Sequence, residues 1–292
     1  MLCVGVVGAT RPSLTTAPDT VALLDDNPID WSEIRDTLAE TAGAQILEET
    51  ILDRLLKERL AALGMKVATQ DIDNERDMLI QSLSSDPDRA QIMLDSLRTQ
   101  RLLGDRRFAA LLRRNAMLRM LVRGEVVITE TMLQSAYRAT HGEKYQARII
   151  LAKTEQEIDA ILSALAQGQD FVTLAVEHST DSSAARGGLL EPISPDDERY
   201  PFALRQALPG LQAGVPSAAF ALDGNYATAL LVRVVPADGI SFDQARSEVE
   251  RFTRIGLERV RMDALAVELL QRAKIHIMEP NIAAGWNRMR GR

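Results

Sequence analysis

The chain has a single cysteine, Cys3, so it forms no internal disulfide and builds no cysteine-based metal centre. Its three histidines, His141, His178 and His276, are scattered and show no metal-ligand spacing. No metal and no cofactor is therefore expected. Aromatic residues are scarce, with two Trp, four Tyr and six Phe. That scarcity, beside abundant Leu, Ala, Ile and Arg, favours helices over a β-sandwich. No run of eighteen apolar residues occurs, so no membrane-spanning helix is expected. A basic excess is missing too: 34 Lys and Arg face 41 Asp and Glu, a net charge of −7. Neutralising phosphates needs a basic face, so nucleic acid is not an expected partner. The local basic clusters at 98–123 and 288–292 read as solvated faces.

What is present is an ordinary globular composition, 46% hydrophobic and 26% charged over 292 residues, with room for two domains. Residues 1–20 are either a disordered tail or the remnant of an export signal. Met1–Thr10 are apolar but short and without a basic start, and Thr10–Asp19 reads as linker. Val21–Leu24 is a short apolar run closed by the turn chemistry of Asp25-Asp-Asn-Pro28. Asp30 and Glu33 have capping-box spacing at the start of a helix. Leu47, Ile51, Leu52, Leu55, Leu56 and Leu60 recur at helical steps, and Gly64 is placed to end that helix. Further helices are expected after Thr69, over Leu94–Leu103 and Phe108–Val122, and from Thr129-Glu130 to about His141-Gly142.

The texture changes near residue 144. Ala147–Leu151 is strand-like, Glu155–Ala166 and Phe171–Glu177 are helical, Gly187–Ile193 is loop or strand, Tyr200–Leu208 is helical, and Ala227–Val235 is a strand. This order describes a compact α+β unit. Phe242–Ala273 returns to helical periodicity, Ile275–Met278 is a short strand candidate, and Asn281–Arg292 reads as a floppy basic tail. The division expected is a helical domain at 21–144, an inserted α+β domain at 145–236, a C-terminal helix at 237–279 packing back on the first domain, and a basic tail at 280–292.

Within the insert, the strand Ala147-Arg-Ile-Ile-Leu151, the loop Ser179-Thr-Asp-Ser-Ser183, the pair Gly187-Gly188 and the strand after Tyr226 follow the order of the parvulin family of peptidyl-prolyl cis/trans isomerases, which this stretch of about ninety residues resembles. The wider order of helical block, insert and long helix resembles extracytoplasmic foldases of the SurA and PrsA type. Val21–Ile29 looks like the opening strand of their chaperone module, and Leu269–Ile277 like its close. The resemblance implies an α+β chain with an FKBP-like β-α-β insert and a place outside the cytoplasm, in the periplasm or cell envelope. It also implies clients that are unfolded or extended polypeptides with X-Pro bonds.

Parvulins set a Cys or Asp beside two histidines on the face of a small sheet. By resemblance Asp181 holds the Cys/Asp position, while the two histidine positions fall on Ile149 and Ala227, whose side chains carry neither proton nor hydrogen bond. Leu190 matches a leucine of the apolar pocket, and Tyr200 and Leu204 fall where the family flanks the proline ring. The same residues have plain structural readings: Asp181 as a cap before Ser182-Ser183, Tyr200 and Leu204 as core at i, i+4, and His178 as a solvated helix end. Two functional readings follow. One is a foldase with weak prolyl isomerase activity; the other is a non-catalytic chaperone or envelope scaffold that keeps a degenerate parvulin frame for binding.

Overall fold

A computed structural model of the chain describes residues 19–84 and 86–291. The expected tail or signal remnant at 1–20, including Cys3, lies outside the described residues but for the last two positions. Two compact units are present: one is formed by the chain up to Val122 together with Met262–Arg292, the other by Arg123–Arg261.

The first unit opens with a hairpin, β1 (Thr20–Leu24) antiparallel to β2 (Asn27–Asp30). Asp25 and Asp26 both adopt positive φ (49° and 65°), the backbone that a two-residue hairpin turn of matching twist requires. The opening segment is therefore two strands, not the single strand expected. The backbone N–H of Asp30 donates to the Glu33 carboxylate at 2.9 Å, starting α1 (Trp31–Leu38). A π-helical turn, Ala39–Gly43, leads into α2 (Ala44–Ala62). Then come α3 (Thr69–Leu83), α4 (Pro87–Gln100) and α5 (Asp105–Val122). Leu52, Leu56 and Leu60 on α2 recur every four residues and meet Met117, Leu118 and Val122 of α5 in one core, with Met262 and Leu270. A second core joins Leu94, Phe108 and Leu112.

The second unit begins with α6 (Glu130–His141), followed by β3 (Lys144–Ala152), α7 (Glu155–Ala166) and α8 (Phe171–His178). After a 3₁₀ turn at Ala184–Arg186 come α9 (Phe202–Ala207), β4 (Phe220–Leu222) and β5 (Asn225–Val235). The sheet order is β3–β5–β4, all antiparallel. Alternation along β3 sorts its side chains cleanly. Ile150 and Ala152 pack under α7 and α8 with Ile158, Ile161, Phe171 and Leu174, whereas Ala147 and Ile149 face the opposite way. Finally α10 (Phe242–Arg272) gives Ala245 and Val249 to a small core with Leu133 of α6, and its later residues to the first unit.

Three expectations are corrected. The break between units falls after Val122 rather than at 144, because α6 belongs with the sheet unit: Leu133 packs on Ala245 and Val249, and Arg138 pairs with Asp196 at 2.8 Å. Ile275–Met278 is not a strand, since no neighbouring strand pairs with it among the described residues. The basic tail is a helix, α11 (Pro280–Arg290), with Trp286 buried; burial of that indole supplies order that the polar composition does not suggest.

Candidate functional site

The face of the sheet opposite α7 and α8 gathers the residues singled out in the sequence. Register places Ile149 opposite Ala229 and Leu151 opposite Ala227 on the paired strands β3 and β5. Ile149 and Ala227 therefore share a face, one diagonal step apart. Both belong to an apolar cluster with Ala147, Ile193, Leu204, Leu208 and Leu222. Leu190 and Tyr200 pack against this cluster and remain half-buried. Ile149, Ala227 and Leu204 are 2%, 0% and 3% exposed. The five positions thus come together, but in two layers. Three form a closed floor, and two, Leu190 and Tyr200, keep part of their surface exposed.

The wall beside β3 is built by the glycine pair. Gly188 has φ +73°, and a Cβ there would lie 2.2 Å from the Ile149 carbonyl oxygen. Only glycine lets the chain pass that close. From there the chain pairs with the free edge of β3: Ile149 N–H donates to Gly188 O at 2.9 Å, and Leu190 N–H to Ala147 O at 3.0 Å. Tyr145 and Ile193 exchange two further bonds at 2.8 and 2.9 Å. The expected loop or strand at Gly187–Ile193 is thus an irregular edge ladder that delivers Leu190 to the cluster.

Asp181 has a different setting. Its carboxylate accepts the backbone N–H of Ser183 at 2.8 Å and the Ser183 hydroxyl as well, closing a local turn just before the 3₁₀ turn. Ser179 and Thr180 stitch the same loop to the end of β3, through the Leu151 N–H (3.1 Å) and the Leu151 carbonyl (2.8 Å from the Thr180 N–H). The observed partners of Asp181 are those of a local turn.

Sequence reasoning missed two arginines. Arg148, on β3, donates through Nη1 to the carbonyls of Arg186 and Gly187 at 2.9 and 2.7 Å, pinning the turn that leads into the glycine pair. Arg205, on α9, donates to Tyr200 O at 3.0 Å and Pro195 O at 2.9 Å, fixing the loop that carries Tyr200. An arginine within the otherwise apolar run Ala147–Leu151 was the available signal for the first. Nothing local signals the second. The same loop is tied to α6 by Asp196, whose two oxygens take Arg138 Nε and Nη2 at 3.0 and 2.8 Å. The hydrogen bond from Arg138 holds the Asp196 carboxyl below its ordinary value, and Arg199 does the same for Asp197. Phe202, next to Tyr200, is 66% exposed and sits beside the Arg205 guanidinium, 5.6 Å from ring centroid to Cζ.

His178 is not part of this face. It lines a pocket of about 460 Å³ against α7 and α8, on the other side of the sheet. Among the described residues no three His, Cys, Asp or Glu converge as a metal site would require.

No family model matches the chain. Sequence relatives are nonetheless found. A foldase protein PrsA of Pediococcus pentosaceus is 26% identical over 171 residues, 58% of this chain and 54% of that protein. Another, from Exiguobacterium sibiricum, is 26% identical over 161 residues, 55% of this chain and 50% of that one. The chain thus spans about half the length of these relatives. Among solved structures, the parvulin domain of PpiD from E. coli is 31% identical and covers 33% of this chain and 93% of its own, with a TM-score of 0.29. The peptidylprolyl isomerase PrsA of Bacillus anthracis is 19% identical, covers 80% and 99%, and has a TM-score of 0.47. Over part of its length, then, the chain is similar in sequence to foldases of the PrsA type.

Proposed function

We propose that this chain is a foldase-type chaperone whose parvulin-like unit binds extended proline-containing polypeptide and turns over X-Pro bonds weakly or not at all. The observation that carries the reading is the make-up of the sheet face. Leu190 and Tyr200 present apolar surface above a floor that contains Ile149 and Ala227, the two positions on which, by sequence resemblance, the parvulin histidines fall. Rotation about an X-Pro bond faces a barrier of about 20 kcal/mol from amide resonance. Lowering it requires dipoles aimed at the twisted amide in a water-poor site, and losing one such donor costs an enzyme about a hundredfold or more. Isoleucine and alanine supply no donor, and Asp181 is occupied by Ser183. An apolar cradle still holds a pyrrolidine ring, because burial of its methylenes needs no proton.

The same homology supports polypeptide clients and a workplace outside the cytoplasm. No described helix is long and apolar enough to cross a membrane. The test is an NMR exchange experiment on a short X-Pro peptide with the whole chain and with an Ile149→His/Ala227→His variant. Binding should perturb the signals of Leu190 and Tyr200 while cis/trans exchange stays within about twofold of the unaided rate. The variant, if folded, should bind the same peptide and exchange it faster. A wild-type acceleration of about a hundredfold would overturn the weak-turnover reading. Absence of any perturbation at Leu190 and Tyr200 would overturn the binding one.

A further inference from the structure

Two of the side chains packed on the apolar cluster of the sheet face end in a hydroxyl, Tyr145 and Tyr200. They differ in what that hydroxyl does. The one on Tyr145 donates to the Glu143 carboxylate at 2.5 Å. The one on Tyr200 makes no hydrogen bond among the described residues. It is not a buried atom either, so it is open to a ligand that lies over the rim. The ring of Tyr200 is packed and its O–H is left over.

The surrounding chain fixes where that O–H sits. Tyr200 N–H donates to Asp197 O at 3.1 Å, and Tyr200 O accepts Arg205 Nε at 3.0 Å. Pro201 follows at the start of α9 and confines Tyr200 to extended backbone. The neighbouring cation is already engaged, since Arg199 Nε and Nη2 donate to the two oxygens of Asp197 at 2.8 and 2.6 Å. What remains is a neutral donor held beside apolar surface. The matching group on a prolyl segment is the carbonyl oxygen of the X-Pro amide, because the proline nitrogen has no hydrogen and leaves that oxygen without an amide partner of its own.

Where such a bond falls decides what it does. Amide resonance places negative charge on the carbonyl oxygen, and most of it when the amide is planar. Twisting about the C–N bond withdraws that charge and returns a lone pair to nitrogen. A donor on the oxygen therefore holds the planar ground state more strongly than the twisted transition state. Contacts of that sign raise affinity without speeding the reaction. A donor on the nitrogen would do the reverse.

We propose that the Tyr200 hydroxyl donates a hydrogen bond to the X-Pro carbonyl oxygen of the bound segment, so that the rim recognises the planar amide and holds it. The inference rests on the prolyl reading of this face and assigns the one polar contact that the face makes with its ligand.

The test uses the whole chain with two probes: a short Ala-Pro peptide, and its analogue with sulfur in place of the alanine carbonyl oxygen, a poorer acceptor. Tyr200→Phe keeps the ring and its packing, which amide protection at Ile149 and Leu204 checks. It should bind the ordinary peptide about fivefold more weakly than wild type does. The sulfur analogue should bind wild type and Tyr200→Phe alike, both weakly, because the bond is then lost from one side or the other. At saturation, NMR exchange of the ordinary peptide should be no slower on Tyr200→Phe than on wild type. Equal affinity of the two proteins for the ordinary peptide would overturn the proposal while leaving prolyl binding intact. A sulfur penalty that persists in Tyr200→Phe would place the donor elsewhere and overturn it too. Slower exchange on Tyr200→Phe at unchanged affinity would put the phenol on the nitrogen, as a catalytic group. Failure of wild type to bind the ordinary peptide would remove the prolyl reading and this contact with it.

Discussion

The two halves of the candidate site are built on different principles. The loop half, 179–188, is held by named polar bonds: Ser179 and Thr180 on Leu151, Asp181 on Ser183, Arg148 on the carbonyls of Arg186 and Gly187. The sheet half presents only apolar side chains, Ile149, Ala227 and Leu204, packed together and closed to water. Among the described residues no hydrogen bond joins Asp181 of the loop to Ile149, Ala227 or Leu204 of the face. A frame of this kind persists when its residues satisfy backbone groups, because an orphaned buried donor costs about 1–3 kcal/mol whatever the chemistry nearby. The side chains of the apolar face carry no such groups.

The largest effect is expected at the seam between the halves. Gly188→Ala places a methyl on the Ile149 carbonyl, in a backbone region that costs alanine about 1–2 kcal/mol by itself. The chain must also give up its bonds to the edge of β3. A loss of about 4 kcal/mol is expected in the sheet unit, read by native-state hydrogen exchange at the Ile149 and Leu190 amides. Gly210→Ala is the control: nothing lies within 4 Å of its Cβ and its φ is not in the left-handed region. A Gly188→Ala effect as small as that of Gly210→Ala would mean that the two halves are not coupled through this contact.

How much of this was legible follows from which contacts are local. The helices of the first unit announce themselves because Leu52, Leu56 and Leu60 repeat at the helical period and because caps such as Glu33 lie three residues from the groups they satisfy. The glycine pair stands out for the same reason. The ladder from Gly188 to Ile193 does not, since its bonds reach some forty positions back along the chain. The place of α6 was hidden likewise, because Arg138 and Asp196 are 58 residues apart. Helix α11 was misread as tail because Pro280, Asn281 and Gly285 are poor helix formers, and only the burial of Trp286 outweighs them. The residues of the apolar face were readable one by one. Their division into a closed floor and an open rim was not, because burial depends on what α9 and the edge ladder cover.

A smaller effect separates the loop half from the reaction. Asp181→Ala removes the side-chain acceptor of the Ser183 N–H and should cost about 1 kcal/mol, with loss of protection at Ser183. Prolyl exchange and peptide affinity should be unchanged. A parallel fall in the exchange rate of a peptide, with the fold intact, would return Asp181 to the catalytic layer and erase the distinction between the halves.

The smallest effect concerns the loop that carries Tyr200 to the rim, and it is a function of pH. Arg138 lowers the folded-state pKa of Asp196 below its unfolded value. A depressed carboxylate contributes stability that is fully present above the unfolded pKa, about 3.9, and is lost as pH falls through the folded value. Wild type and Asp196→Asn should therefore differ at pH 7 and converge in strong acid, below the range in which carboxylates ordinarily titrate. Arg138 is about half exposed, so screening limits the difference to about 0.5 kcal/mol. Arg205 continues to hold Pro195 and Tyr200 from the other side, which is a second reason for a small effect. Asp197 titrates in the same window through Arg199, so the comparison must be made within the Asp196→Asn pair and not from the wild-type profile alone. Hydrogen exchange of the 194 and 196–200 amides, followed from pH 7 down into strong acid, reads it directly. A difference that persists after the carboxyl is protonated would show that Asp196 acts here by shape rather than by charge, and would place the loop with the packed half of the site instead of the polar one.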